Sequence, residues 1–295
     1  MVAKIIDGKS LAAEIRRELR AKMAKLEKRG IVPALAALLV GEDSASLAYL
    51  RGIGRGCEEV SIYMETIKLP REIKEAELLL EIGKLNSNSR FHGIMIQFPL
   101  PQHLNVDKVV SAISPQKDVD GANPVSLGRL LMGEETFLPS TPAGIQQLLV
   151  RSGYEPSGKH VVICGRSNIV GKPLMGILIQ KQAGANATVT VCHTGTRDLP
   201  SITRQADILV VAVGRPKAIT REMVKEGAVV IDVGMNWVED PSSPRKFRFI
   251  GDVDFDAVSQ KAVAITPVPG GVGPMTVTML MANTIKAAEM TAGGH

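Results

Sequence analysis

His160-Val161-Val162-Ile163-Cys164-Gly165-Arg166-Ser167-Asn168-Ile169-Val170-Gly171-Lys172-Pro173 is the stretch on which the 295-residue chain is best read. Its first five residues form a β-branched apolar run of strand length, the pattern of a strand buried on both faces. A glycine at the strand end permits a tight turn, and a helix starting nearby offers free backbone N–H groups to a phosphate. The letters are not a literal G-x-G-x-x-G. Ser167 takes the middle glycine's place, and the last glycine falls one residue late. Any strand-turn-helix corner fits the same letters, so the neighbouring segments must decide.

Downstream, three more apolar runs read as strands buried on both faces: Ala187 to Val191, Asp207 to Val213 and Ala228 to Asp232. An NAD-preferring turn is followed after about 20 residues by an Asp or Glu that holds the ribose 2′-hydroxyl. Here the second strand runs into Cys192-His193-Thr194-Gly195-Thr196-Arg197, with no carboxylate. Arg166, Ser167 and Thr194 suit a 2′-phosphate instead, which favours NADP over NAD; the alternative is that Arg166 is a surface arginine. His193 has no carboxylate beside it and reads as structural or as a cofactor-edge contact rather than as an acid or base.

Upstream the same alternation holds. Ser10 caps a helix running to Arg29, and Ala34 to Val40 is a strand ending at a Gly-Glu-Asp turn. A helix from near Ser44, a strand over Ser61 to Leu69, a helix over Ile73 to Leu85 and a strand over Gly93 to Gln97 follow. The result is an α/β chain of two domains, an N-terminal α/β domain and a C-terminal Rossmann-like parallel sheet. Pro139-Ser140-Thr141-Pro142-Ala143-Gly144 marks the crossing between them, and an apolar last helix from Met275 to Met290 packs back on the first domain. The expected division is 1–143 with the helix 275–295, and 144–274.

Composition excludes several classes. Lys and Arg number 35 against 30 Asp and Glu, a net charge of +5, and only 3% of residues are aromatic. The densest basic stretch, Pro244 to Arg248, is short, so a nucleic-acid surface with stacking platforms is not expected. Three widely spaced cysteines (Cys57, Cys164, Cys192) suggest neither disulfides nor a metal site. No apolar leader and no run of roughly 18 apolar residues is present. A cytoplasmic protein without metal, membrane or nucleic-acid partner is the expectation.

Four other segments share a chemistry with the Gly165 turn. Tyr49 lies in the helix after Val40-Gly41-Glu42-Asp43, and Gln97-Phe98-Pro99-Leu100-Pro101 ends a strand. Lys117-Asp118-Val119-Asp120-Gly121 is a loop, and Thr266-Pro267-Val268-Pro269-Gly270-Gly271-Val272-Gly273-Pro274-Met275-Thr276 precedes the last helix. In this order, over essentially the whole chain, they resemble the methylenetetrahydrofolate dehydrogenase/cyclohydrolase family. The resemblance implies a folate domain facing a Rossmann domain across a cleft, usually in a homodimer that acts on tetrahydrofolate one-carbon derivatives. NADP takes a hydride from 5,10-methylenetetrahydrofolate, and the methenyl product is then hydrolysed to 10-formyltetrahydrofolate. It further implies that Tyr49 stacks beside the pterin, that Gln97 hydrogen-bonds near the reacting atoms with Phe98 adjoining, and that Asp120 accepts from the pterin edge. Pro269, Gly270, Gly271, Val272 and Gly273 would line the folate pocket. Gly165, Arg166, Ser167, Thr194, Met235 and Thr276 would hold the cofactor.

One position departs from the family pattern of Tyr, three residues, then a lysine central to hydrolysis. Here the run is Tyr49-Leu50-Arg51-Gly52-Ile53, so isoleucine stands at the lysine position. Helical spacing is expected to point Ile53 into the cleft beside Tyr49 and to turn Arg51 and Arg55 elsewhere. Three glycines (Gly52, Gly54, Gly56) weaken the helix and leave open an irregular segment in which an arginine swings in. A guanidinium stays protonated and makes a poor base. Dehydrogenation is therefore expected to survive and hydrolysis to be weak. Two other classes stand beside this one: a shikimate-dehydrogenase-type enzyme, which needs a Lys–Asp pair not found here, and a non-catalytic folate or NADP binding protein.

Overall fold

A computed structural model describes residues 2–241 and 246–293. Met1, Pro244 and Arg245 of the segments above, and residues 294–295 of the expected last helix, lie outside them. The chain divides into two units, residues 13–140 with 277–295 and residues 1–12 with 141–276. The elements are β1 (Lys4–Ile5), α1 (Gly8–Glu27), β2 (Ala34–Val40), α2 (Ser44–Glu59), β3 (Tyr63–Leu69), α3 (Glu75–Ser87), β4 (Gly93–Ile96), α4 (Val106–Ser111), α5 (Pro124–Met132) and α6 (Ser140–Arg151). There follow β5 (His160–Cys164), α7 (Gly171–Leu178), β6 (Thr188–Cys192), α8 (Leu199–Thr203), β7 (Ile208–Val211), β8 (Val229–Asp232), β9 (Asn236–Glu239), β10 (Phe247–Ile250), α9 (Phe255–Val258), β11 (Ala264–Ile265) and α10 (Val272–Gly293).

In the smaller unit β2 is the middle of a three-stranded parallel sheet ordered β3-β2-β4. All seven residues of β2 are buried, which is why its sequence shows no polar alternation. Asp43 caps α2 by accepting from the Ser46 amide at 2.7 Å. Asn283 of α10 donates to the carbonyls of Val119 and Leu138 at 2.8 and 2.9 Å, tying the last helix to the loop that carries Asp120.

The larger unit is a six-stranded parallel sheet in the order β1-β11-β8-β7-β5-β6. Val161, Val162 and Ile163 of β5, which lies between β7 and β6, are fully buried, each contributing roughly 1.5–3 kcal/mol. The chain goes from β5 to β6 on one side and returns to β7 on the other. Such a reversal opens a ligand crevice at the carboxyl ends of the strands. Two expectations need correction. The second strand is not buried on both faces, because β6 is an edge strand with Thr188 exposed and Val189 to Val191 half-buried. Ser10 does not cap the first helix; Asp7 does, accepting from the Lys9 and Ser10 amides and the Ser10 hydroxyl.

Residues 1–12 fall in the unit of the six-stranded sheet. β1 pairs with β11, and the Lys9 amide donates to the Gly270 carbonyl at 3.1 Å. A β-carbon at Gly8 would run into the Gly271 carbonyl, so the start of α1 braces the Pro/Gly loop.

Candidate functional site

In the larger unit the ends of β5, β6 and β7 enclose a groove of about 560 Å³ lined by Gly165, Arg166, His193, Thr194, Val213 and Arg215, among others. Gly165 has φ +130°, and a β-carbon there would meet the Ala212 carbonyl oxygen. The strand end is therefore shaped for close backbone approach, as the fingerprint requires. Ser167 Oγ accepts from the Val170 amide at 3.1 Å and braces the turn into α7. Arg166 and Thr194 are exposed toward the groove, and no Asp or Glu lines it. That donor set fits a dinucleotide with a phosphorylated ribose. His193 accepts from the Gly195 amide through Nδ1 at 3.1 Å, so it shapes the turn after β6 at the groove's edge. Arg215 is the residue that inspection of the sequence missed; its signal was Gly214-Arg215 directly after a strand end.

Met235 is 57% exposed and stands outside the groove's lining, between β8 and β9. Thr276 Oγ1 lies 3.0 Å from Thr141 Oγ1 in the first turns of α10 and α6. The loop from Pro267 to Gly271 is closed by the Gly271 amide donating to the Pro267 carbonyl at 2.8 Å, and its Val268–Pro269 peptide is cis. Pro269 is exposed, Gly270, Gly271 and Val272 are buried, and Gly273 is half-buried.

In the smaller unit Tyr49 stands near enough to Asp120 to feel its charge. Burial first, and the Asp120 charge second, push the Tyr49 hydroxyl up to about 12. The side chain keeps 42% of its surface, so the shift reflects protein packed around it rather than full enclosure. Burial also raises Asp120 above the usual carboxylate range. Ser140 Oγ beside it favours the charged form, but the contact falls short of an aligned hydrogen bond and leaves this buried hydroxyl without a partner.

The neighbouring Asp118 does different work. It is buried and accepts from the Ala122 and Asn123 amides and from Ser126 Oγ at 2.7 Å. Gly121 follows in the left-handed region (φ +67°), where a β-carbon would press on Pro139 N at 2.6 Å. Asp118, Gly121 and Asn283 thus hold the loop that presents Asp120. Gln97 is buried at the end of β4, its amide donating to the Phe98 carbonyl at 2.6 Å, with no hydrogen bond to Tyr49 or Asp120.

Ile53 is fully buried. It falls on the stripe Ser46, Leu50, Ile53, Cys57 that α2 turns inward, one helical turn beyond Tyr49, rather than at an open surface. The helix is continuous through its three glycines, and the terminal methyl of Met281 fills the space beside Gly56. The irregular segment envisaged above is absent. Arg51 and Arg55 are exposed and line a separate groove of about 590 Å³ with Leu47, Glu58 and Lys68. Neither arginine substitutes for the missing amine.

The fold and these two sites define a two-unit α/β protein with a dinucleotide groove in one unit and, in the other, a tyrosine that feels the charge of Asp120. Residues 6–120 match the catalytic-domain model of tetrahydrofolate dehydrogenase/cyclohydrolase, and residues 139–292 match its NAD(P)-binding-domain model. The chain belongs to the tetrahydrofolate dehydrogenase/cyclohydrolase family. It is 55% identical to the bifunctional protein FolD of Syntrophus aciditrophicus over 99% of this chain and 100% of that one. Identity to the FolD of Bacillus mycoides is 51% over 98% of each. Among solved structures, the bifunctional FolD of Campylobacter jejuni superposes with a TM-score of 0.91 at 43% identity, covering 98% and 99% of the two chains. The Trypanosoma brucei enzyme, solved with NADP cofactor and inhibitor, superposes with a TM-score of 0.93 at 37% identity over the whole of both.

Proposed function

We propose that this chain oxidises 5,10-methylenetetrahydrofolate to 5,10-methenyltetrahydrofolate with NADP, and that it hydrolyses the methenyl product weakly. NADP, when bound, accepts the hydride. Arg166 and Thr194 would take its 2′-phosphate, and Gly165, Ser167, Met235 and Thr276 would hold the rest. Asp120 anchors the pterin edge by accepting its N–H groups, Tyr49 lies along the ring, and Gln97 orients the one-carbon bridge. The bridge C–H bond breaks with its electron pair leaving as hydride, and the carbon becomes a cation shared with its nitrogens. No side chain has to take a proton in that step, so Ile53 does not impede it.

Hydrolysis differs, because the attacking water must lose a proton. A positioned base or relay is typically worth about 10²–10⁴ in rate. The observation that carries the split is Ile53, fully buried and without a titrating group at the family's lysine position. A second reading, full bifunctionality through another relay, draws support from the names of the relatives, which are called bifunctional. Tyr49 and Asp120 are the pair that would serve it. Initial rates of NADPH formation with NADP and with NAD, and of methenyl hydrolysis, on one preparation test the proposal. Saturable binding of both ligands without NADPH formation would instead mark a binding protein. A cytoplasmic homodimer is part of the same proposal, and light scattering after gel filtration tests the dimer.

A further inference from the structure

Two buried carboxylates lie behind the dinucleotide groove, and nothing above gives them a task. Asp232 ends β8 and is 3% exposed; Asp252 follows β10 and is fully buried. Among the described residues neither has an ion-pair partner, so backbone amides and one side-chain amide must meet their charge. Asp232 accepts from the amides of Gly234, Asp252 and Val253, each at 2.9 Å. Its own amide donates to Thr266 Oγ1 at 2.8 Å, one residue before the Pro/Gly loop. Asp252 Oδ2 accepts from the amides of Val213 and Gly214 at 2.7 and 2.8 Å, and its Oδ1 accepts from Asn236 Nδ2 at 2.8 Å.

Val213 lines the groove and leads to Arg215, and Asn236 adjoins Met235. Gly234 and Gly251 must be glycine because a β-carbon at either would strike Asp252 or Asp232, respectively. A purely structural acceptor could sit anywhere along the sheet. This pair gathers the turns after β7 and β8 and the lead into the Pro/Gly loop at the one edge where the groove opens.

We propose that Asp252, held in place by Asp232, is a positioning residue for the cofactor. It fixes the Val213–Gly214 turn so that the groove wall and Arg215 meet the dinucleotide in one geometry. This rests on the NADP reading above and adds to it a specific residue that never touches the ligand.

Asp252→Asn tests it. The new amide can still accept from Val213 and Gly214 through oxygen, but its NH₂ then faces the NH₂ of Asn236, and the turn must shift. Loss of a charge-assisted hydrogen bond of this kind predicts a KM for NADP raised about tenfold or more, with a smaller change in kcat. The reciprocal double variant Asp252→Asn/Asn236→Asp restores a donor facing an acceptor and should recover most of the NADP affinity. Asp207→Asn, which can keep the His160 amide contact through its oxygen but loses the charge paired with Lys225 at the amino end of the sheet, should lower thermal stability slightly with no change in NADP KM. NADP titration of the wild type by calorimetry separates the two claims: no binding there sinks the NADP reading itself. Wild-type binding with an unchanged KM in a folded Asp252→Asn, or a double variant no better than the single, overturns the positioning role.

Discussion

Replacing Ile53 with lysine inserts an amine where α2 turns fully inward. An ammonium there loses its water, and the desolvation drives the group toward its neutral form. If its pKa falls from about 10.4 to about 8, the folded state is destabilised by ~3 kcal/mol. A fold worth about 5–15 kcal/mol survives that. The lowered pKa is also what a proton acceptor near neutrality requires, so methenyl hydrolysis should rise by about 10²–10⁴. Dehydrogenation should stay within a few-fold, because hydride transfer needs no base. Ile53→Met supplies an unbranched apolar chain without the nitrogen and should leave hydrolysis at the wild-type level. Both rates are measured on one preparation of each variant, with circular dichroism confirming the fold. A folded Ile53→Lys that forms NADPH normally and hydrolyses no faster than wild type would refute the reasoning.

Gly165→Ala forces a β-carbon against the Ala212 carbonyl at φ +130°. It should cost roughly 1–3 kcal/mol of stability and weaken NADP binding, measured by melting and titration; an unchanged NADP affinity would contradict the close-approach role. Asp120→Asn should raise the KM for the folate substrate by about tenfold or more through loss of charge-assisted bonds, leaving NADP KM unchanged, and equal effects on both substrates would argue against it. Burial raises Asp118 and Asp232 from 3.8 to about 6. Between those values the folded chain holds protons that the unfolded chain releases, so each aspartate destabilises the fold by up to ~3 kcal/mol at neutral pH and less as pH falls. Asp43, Glu75 and Asp207, which are lowered, act the other way, their contribution lost only as pH falls through their own range. The two aspartates should therefore raise the melting temperature from about pH 7 to about pH 5, opposed by His92, which burial lowers from 6.5; a steady decline over that range would show that they do not outweigh it.

The central strands were legible because burial on both faces leaves continuous apolar runs, as in Ala34 to Val40 and His160 to Cys164. The two-residue strands β1 and β11 were not, since so short a run has no period to detect. That is also why the pairing of β1 with β11 was not legible in the letters. Spacing set Ile53 on the Tyr49 side of α2; the stripe Ser46, Leu50, Ile53, Cys57 was equally present in the letters and describes its inward position better. Within Lys117-Asp118-Val119-Asp120, sequence alone does not distinguish a loop-holding aspartate from one left available, because the difference lies in which carboxylate meets the Ala122 and Asn123 amides. Asp232 and Asp252 are twenty residues apart, and only the fold sets one against the other.

The most direct test is the ratio of two initial rates on the unmodified protein: methenyltetrahydrofolate hydrolysed, corrected for the spontaneous reaction, over NADPH formed from methylenetetrahydrofolate. A quotient far below that of a relative carrying lysine after the tyrosine, assayed side by side, is the predicted result. Parity between the two proteins would contradict the account and point to a different proton carrier.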